Sequence, residues 1–218
     1  MTVMKKLVLA LVCLATLCAC QMEDVFVITN CSNFVSVIDG KMTDDSGGVA
    51  TITESDVQES TWNKEGARWY VIYDVLNRNY DLKLKSVEPC TVVDSELLPE
   101  EVQPGGPIVP GENYLSAKYF NLRIAQYRKK GSDYPYSAKL YYTVKSGAQL
   151  QFRIVCDDNG ENPVNMDESL LEQQIFSYSF SMDGIIDPEK QYTVEVIWDA
   201  LSKDSDGKYV IKEYSGTL

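Results

Sequence analysis

The sequence has no histidine among its 218 residues. Histidine is the usual base of Ser-His-Asp and Cys-His sites and the commonest zinc ligand, so its absence excludes those chemistries. Glycine-rich dinucleotide motifs, the Gly-x-Ser-x-Gly turn and the phosphate-binding Gly-Lys-Ser/Thr motif are missing as well. We therefore predict that the protein is not an enzyme and needs no cofactor. A hydrolase that uses two of the many carboxylates is a remote alternative.

Basic residues are few relative to acidic ones. The chain has 20 Lys and Arg against 32 Asp and Glu, a net charge of −12. Such a balance repels nucleic acid and anionic lipid head groups, so nucleic acid is not expected as a partner. An apolar content of 44% with 14 tyrosines is that of a folded chain rather than a disordered one.

No hydrophobic run is long enough to cross a membrane. The apolar run over residues 7–17 has 11 residues, whereas a spanning helix needs about 20. Lys5 and Lys6 precede this run and small residues follow it, which is the layout of a secretory signal.

Residues 17–20 (LCAC) resemble a bacterial lipobox, which implies cleavage before Cys20 and a diacylglycerol on its sulfur. The resemblance gives a signal peptide over residues 1–19 and a lipidated tether over residues 20–24. Lipid of this kind holds a protein on a membrane without a transmembrane helix. The expected location is the cell envelope, at the outer membrane, on either its periplasmic or its exposed side. Loss of Lys5 and Lys6 leaves 18 basic against 32 acidic residues, a mature net charge of −14.

Three cysteines remain in the mature chain beyond Cys20, namely Cys31, Cys90 and Cys156. An odd number leaves at least one thiol unpaired. Cys31 and Cys90 lie near the first and last strands of the first predicted domain, so a disulfide between them is one expectation. The other is that all three are small apolar residues within strands.

Alternating apolar and polar residues predict β-strands along the whole mature chain. In residues 80–87 the apolar positions cannot all share one face, which predicts a bulge near Ser86. Residues 98–112 contain four prolines and three glycines, a composition that predicts no strand or helix. We therefore predict an all-β chain with one small domain over residues 25–98, a linker over 99–113 and an antiparallel β-sandwich over 114–218.

The order of these pieces resembles the NigD-like lipoproteins. The matching stretches are residues 66–75 (GARWYVIYDV) with 80–87 (YDLKLKSV), Tyr114-Leu115 with 120–123 (FNLR), and 150–154 (LQFRI) ahead of 157–160 (DDNG). The resemblance implies an N-terminal OB-like barrel and a C-terminal immunoglobulin-like sandwich. The family name also carries an association with bacteriocin immunity, although a fold does not transfer a function.

Aromatic residues in polar segments are the candidate ligand contacts. Tyr134-Pro135-Tyr136 follows two lysines and a glycine, and rigid tyrosines are favoured in recognition surfaces. Trp62 lies in a polar stretch, where it either plugs the barrel or contacts a ligand. These residues predict a non-catalytic binding module for an unknown protein or glycan, with a bacteriocin-immunity lipoprotein as the alternative.

One acidic segment has a weak calcium-loop spacing. Counted from Asp157, oxygen ligands fall at Asp157, Asn159, Glu161 and Glu168, as in an EF-hand loop. Asn162 stands where such a loop needs glycine, and Asn159-Gly160 is equally a hairpin-turn signal. We therefore expect no metal here, with calcium as the weaker alternative.

Overall fold

A computed structural model describes residues 26–132, 137–158, 160–161 and 163–217. The first strands are β1 (Ile28–Ile38), β2 (Lys41–Asp44), β3 (Thr51–Ser55), β4 (Arg68–Val75), β5 (Asp81–Asp94) and β6 (Glu96–Leu97). The later strands are β7 (Ile108–Leu115), β8 (Tyr119–Lys129), β9 (Ser137–Ser146), β10 (Gln149–Asp157), β11 (Leu171–Ser181), β12 (Thr193–Lys203) and β13 (Tyr209–Thr217). The helices are short: α1 (Glu59–Trp62) and two 3-10 turns, Pro163–Asn165 and Glu168–Leu170. Within the described ranges no helix could cross a membrane, and the all-β prediction is confirmed.

Strands β1 to β5 form a small barrel. β1 pairs antiparallel with β2 and β4, and β5 pairs antiparallel with β4 and parallel with β3. An isolated bridge between Thr43 and Val49 joins the ends of β2 and β3 and closes the circuit. This circuit, with α1 between β3 and β4, is the arrangement of an OB-like barrel. The OB-like prediction is confirmed.

A β-bulge in β5 keeps its apolar residues on the inside of the barrel. Ile72 lies opposite Ser86 while the next residue, Tyr73, lies opposite Leu84, so Lys85 is an extra residue on β5. Because side chains alternate between faces, the extra residue returns the following apolar positions to the interior. The bulge predicted near Ser86 is confirmed.

The second half of β5 leaves the barrel and joins a β-sandwich. One sheet has the order β5-β11-β8-β7 and the facing sheet has the order β13-β12-β10-β9-β6. Apolar residues from both sheets fill the space between them; the fully buried ones are Ile108, Phe120, Leu122, Ile124, Leu140, Leu150, Phe152, Ile154, Phe180 and Met182. Leu150, Phe152 and Ile154 all face this interior, as the alternation of apolar and polar residues along the chain predicts for a strand with one buried face.

The sequence predicted an antiparallel sandwich, but three pairs of neighbouring strands in it are parallel. β5 pairs parallel with β11, β10 with β12, and β6 with β9. Parallel neighbours need a crossover connection. β11, which lies in the opposite sheet, supplies that crossover between β10 and β12. Strand alternation does not report such crossovers, so the sequence did not reveal them.

The proline-rich segment is not the structureless linker that its composition predicted. β7 begins within it, at Ile108, and pairs with β8. Upstream of β7 the Gly105 amide donates to Asp199 Oδ2 at 2.9 Å, and the Gly106 amide donates to the Cys156 carbonyl at 2.7 Å. A Cβ on Gly105 would lie 2.7 Å from the Cys156 carbonyl oxygen, so glycine is required for this close approach. The segment is pinned to the sandwich.

A buried polar cluster joins the barrel to the sandwich. Arg68 on β4 donates to Asp45 at 2.8 Å, to Asn121 Oδ1 at 2.7 Å and to Ser36 Oγ at 2.9 Å. Its Nε donates to Ser179 Oγ at 2.5 Å. Arg68 and Asp45 come from the barrel, whereas Asn121 and Ser179 come from β8 and β11. We call these residues the Arg68 cluster.

Candidate functional site

Trp62 plugs the barrel core at one end, where it also lines a groove with Met42 and Ile52, and a more apolar cavity enters the barrel at the other end. At the plugged end Trp62 packs into the barrel core and is only 7% exposed. Its carbonyl accepts a hydrogen bond from Trp69 Nε1 at 3.0 Å. Of the two roles expected for Trp62, the structure therefore supports the plug.

The open end, which we call the barrel mouth, lies where β4 passes into β5. A cavity of about 350 Å³ enters the barrel there, a size at the lower end of the range for small-ligand sites. Its floor is formed by buried core residues and its walls by mostly apolar side chains; the lining includes Asn33, Val35, Met42, Asp44, Val49, Ala50, Ile52, Val71, Tyr73, Val75, Tyr80, Leu82 and Leu84. OB-like barrels commonly bind ligands through the loops and faces around such a barrel.

Large apolar side chains are exposed around the barrel mouth. Tyr80 is 68% exposed and Val49 is 56% exposed, and both line the cavity. Ile28, 45% exposed, lies opposite Val75 in the β1–β4 register and therefore at the same end. Exposed apolar side chains that cluster in one patch mark interaction surfaces, whereas single ones are common on any surface.

The backbone at Tyr80 is strained. Its φ is +60°, a left-handed conformation that costs an ordinary residue about 1–2 kcal/mol. Asn77 holds the turn, because its Oδ1 accepts from the Asn79 amide at 2.9 Å and its Nδ2 donates to Asp81 at 2.7 Å. A bulky aromatic residue held in a strained turn at a cavity entrance indicates a functional constraint.

Replacing Tyr80 with glycine should raise the free energy of unfolding by about 0.5–1 kcal/mol, because glycine adopts a positive φ without steric strain. Urea unfolding of the two proteins measures the difference. Tyr80→Ala, which removes the ring but keeps the strain, is the control and should give no gain. A loss of stability in Tyr80→Gly would show that the ring contributes more packing than its exposure suggests.

The one carboxylate in the cavity lining belongs to the adjacent turn and is not an acid–base candidate. Asp44 Oδ1 accepts from the Ser46 amide at 2.9 Å, from Ser46 Oγ at 2.6 Å and from the Gly48 amide at 2.8 Å. Partial burial acts to raise the pKa of Asp44, but these hydrogen bonds outweigh it and hold the pKa below its usual value. Burial raises the pKa of Tyr73 in the cavity wall, so its phenol stays neutral.

The predicted disulfide between Cys31 and Cys90 is wrong. Both residues are free, as is Cys156. Cys31 lies opposite Tyr73, which lies opposite Leu84, and Cys90 is six residues further along β5, or about 20 Å. A disulfide needs Cα atoms within about 7 Å. Spacing in the sequence could not show that β5 carries Cys90 out of the barrel.

Thiol reactivity should follow these positions. Burial raises the pKa of Cys90 to about 11 and that of Cys156 to about 12, so both react slowly in the folded protein. Cys31 is half-buried, beside Tyr73 at the barrel mouth. In protein kept from reductant and carrying Cys20→Ala, we expect one thiol to react before unfolding and three after it. Fewer than three reactive thiols in the unfolded protein would show that two of the cysteines form a disulfide.

Several of the other residues singled out by the sequence are not among the described residues. Tyr134 and Tyr136 lie outside the described residues, as do Cys20 and Asn159. Lys129, the last residue of β8, stands about 34 Å along that strand from Tyr119, and Tyr119 packs on Arg68. Lys129 therefore lies at the end of the sandwich remote from the Arg68 cluster.

The calcium-loop residues have other partners in the structure. Glu161 accepts from Ser132 Oγ at 2.8 Å, and Glu168 lies 3.7 Å from Lys203. Asp157 ends β10 and also has a partner. Within the residues described, no three Cys, Asp or Glu side chains gather closely enough to hold a metal ion.

The barrel mouth was missed because its residues carry no local signal. Val49 follows two glycines in a turn, and Tyr80 follows a polar hairpin loop, so each is typical of an exposed turn. Only the closure of β3 on β5 brings them to one cavity.

Comparison with known proteins supports the fold. No protein-family model matches the chain, and no curated protein sequence matches it. Among solved structures it is similar to a protein of unknown function from Bacteroides vulgatus, with a TM-score of 0.57 and 16% identity over 88% of this chain and 92% of that one. It is similar also to a NigD-like immunity protein from Bacteroides caccae, with a TM-score of 0.53 and 13% identity over 87% of this chain and 96% of that one. The chain therefore has the fold of a NigD-like protein, as its sequence predicted.

Proposed function

We propose that this chain is a lipid-anchored cell-envelope protein that binds an apolar ligand at the barrel mouth and catalyses no reaction. The observation that carries the proposal is the apolar cavity of about 350 Å³. Its entrance bears exposed Val49 and Tyr80. Apolar walls with a few polar groups at the entrance are typical of small-ligand sites.

A neutral naphthylamine dye, which fluoresces in apolar surroundings, tests the site. The protein used begins at residue 20 and carries Cys20→Ala, so it includes every described residue. Val49→Asp should weaken dye binding about tenfold, since placing a charge at the entrance opposes binding by about 1.4 kcal/mol or more. The matched control is Val144→Asp on β9, because Val144 is 55% exposed and Val49 is 56% exposed. Equal binding by wild type and Val49→Asp would exclude the barrel mouth.

The anchor is supported by the lipobox-like residues 17–20 and by the basic and apolar residues before them. Cys20→Ala in the full chain should abolish incorporation of a labelled fatty acid and hinder signal-peptide cleavage. A Cys20→Ala chain that still takes up the label would refute lipidation at this residue. Protease treatment of intact cells, compared with cells whose outer membrane is opened, tells the exposed side from the periplasmic side.

A second contact surface at Tyr134 and Tyr136 stays a proposal. Its support is the sequence alone, in which proline holds two aromatic residues near Lys129 and Lys130. Aromatic anchors commonly contribute about 2 kcal/mol each to an interface. A glycan and peptide array should give signals that weaken together in Tyr134→Ala and Tyr136→Ala, and unchanged signals would remove these residues from the site.

The alternative function is protection against a bacteriocin. Its support is the fold shared with a structure described as a NigD-like immunity protein. At 13% identity that likeness concerns the fold, and a shared fold hosts many functions. Deletion of the gene should sensitise the host to a toxin under this alternative, and unchanged sensitivity across a toxin panel would count against it.

A further inference from the structure

Four exposed apolar side chains gather at one end of the molecule. Val49 and Tyr80 line the cavity entrance. Ile28 lies opposite Val75, which lines the same entrance, and Val27 directly precedes it. Their exposures range from 43% for Val27 to 68% for Tyr80. These four residues lie at the cavity end of the barrel, and we call them the apolar rim.

The chain enters the barrel at this same end. The described residues begin at Phe26, six residues after Cys20. Six residues span at most about 20–22 Å when fully extended. A lipid on Cys20 would therefore hold the apolar rim within that distance of the membrane surface, whereas the far end of the sandwich has no such constraint.

The charge near the apolar rim differs from that of the whole chain. The mature chain carries a net charge of −14. Around the β4–β5 hairpin and the cavity, however, the charges are nearly even: the basic residues are Arg78, Lys83 and Lys85, and the acidic ones are Asp44, Asp56, Asp74 and Asp81. Lys83 pairs with Asp56 at 3.1 Å, and Lys85 lies 3.5 Å from Asp74. An end that is nearly neutral and apolar suits a neutral lipid surface, whereas the rest of the acidic chain is repelled by anionic lipid.

We propose that the apolar rim docks on the neutral lipid surface of the membrane that carries the anchor, with Val27, Ile28, Val49 and Tyr80 in its interfacial layer. The position of the apolar rim beside the membrane rests on the lipid anchor given under the proposed function. An apolar surface patch adds to lipid chains as a second membrane signal. Docking fixes the orientation of the barrel, and an apolar ligand then enters the cavity from the membrane side.

Flotation with phosphatidylcholine vesicles tests the docking without the lipid anchor. The protein begins at residue 20 and carries Cys20→Ala, so that any binding comes from the apolar rim. Wild type should partition measurably onto the vesicles, and Val49→Asp should weaken partitioning about tenfold, an effect of about 1.4 kcal/mol. Val144→Asp should leave it unchanged. Tyr80→Gly serves as a second variant, because it relieves backbone strain and so stays folded while losing the ring.

Cys31 gives a readout at the site itself. Cys31 lies opposite Tyr73 on the neighbouring strand, and Tyr73 lines the barrel mouth. Phosphatidylcholine vesicles should therefore slow the reaction of the Cys31 thiol with a water-soluble thiol reagent. Replacing half of the lipid with phosphatidylglycerol should weaken docking at low salt.

Absence of wild-type flotation would overturn the proposal, as would equal losses in Val49→Asp and Val144→Asp, or an unchanged Cys31 rate on bound vesicles. Dye binding without vesicle binding would support the ligand site and refute the membrane docking. Vesicle binding without dye binding would support the docking and remove the ligand site.

Discussion

Asp45→Ala should lower the free energy of unfolding by about 3–5 kcal/mol, because it leaves the Arg68 guanidinium buried without its counter-charge. The side chains of Arg68 and Asp45 are only 2% and 5% exposed. Asp45 Oδ2 also accepts from Asn121 Nδ2 at 2.7 Å and from Ser116 Oγ at 3.0 Å. The loss therefore reaches both barrel and sandwich. For a domain of this size it corresponds to a fall of about 6–20 °C in Tm.

The matched control is Asp56→Ala. Asp56 pairs with Lys83 at 3.1 Å, but its side chain is 53% exposed, and exposed pairs contribute about 0–1 kcal/mol. Adding Arg68→Met to Asp45→Ala should recover part of the loss, since the uncompensated charge is then gone. An Asp45→Ala protein within about 1 kcal/mol of wild type would show that water reaches Arg68. The barrel and sandwich would then be held together chiefly by apolar contacts.

The sequence predicted what depends on neighbouring residues. Alternation placed Leu150, Phe152 and Ile154 inside the sandwich, where each is at most 2% exposed. The mismatch in residues 80–87 located the bulge, because an extra residue must appear where the apolar positions change face. Both patterns involve residues that are close in the sequence, and the structural features that they predicted are present.

Features that depend on distant residues could not be read in this way. Arg68 and Ser179 are 111 residues apart yet hydrogen-bonded, and an arginine in a strand of alternating pattern looks like a solvent-facing residue. Arg153 is 7% exposed for a similar reason, since Asp199 pairs with it at 2.7 Å and also holds Gly105 of the proline-rich segment. Composition alone predicted that this segment is an unpaired linker, because its hydrogen-bond partner Asp199 is distant in the sequence.

The same limit applied to the candidate site. Trp62 was noticed because a tryptophan in a polar stretch is unusual. In the structure it packs into the barrel core as a plug and is not an exposed contact residue. Val49 and Tyr80 were not noticed, because single apolar residues in turns are common on protein surfaces. What distinguishes them is that the fold brings them together over a cavity and holds Tyr80 at a φ of +60°.

Trp62→Ala should destabilise the protein by about 3–5 kcal/mol, since it removes a large side chain from a packed core. Trp62 is 7% exposed and belongs to the barrel core with Val37, Met42 and Trp69. It closes the end opposite the barrel mouth, so dye binding per folded molecule should be unchanged. Thermal unfolding and dye titration of the same preparation measure the two effects together.

Trp62→Phe is the matched control for the plug. Trp62 Nε1 is buried without a hydrogen-bond partner among the described residues, so phenylalanine removes an unpaired donor while keeping an aromatic ring in the core. We expect it to cost about 1 kcal/mol or less. If Trp62→Ala instead keeps the wild-type Tm and loses dye binding, Trp62 is a ligand contact. The binding site would then lie at the α1 end of the barrel, and Val49→Asp would leave dye binding intact.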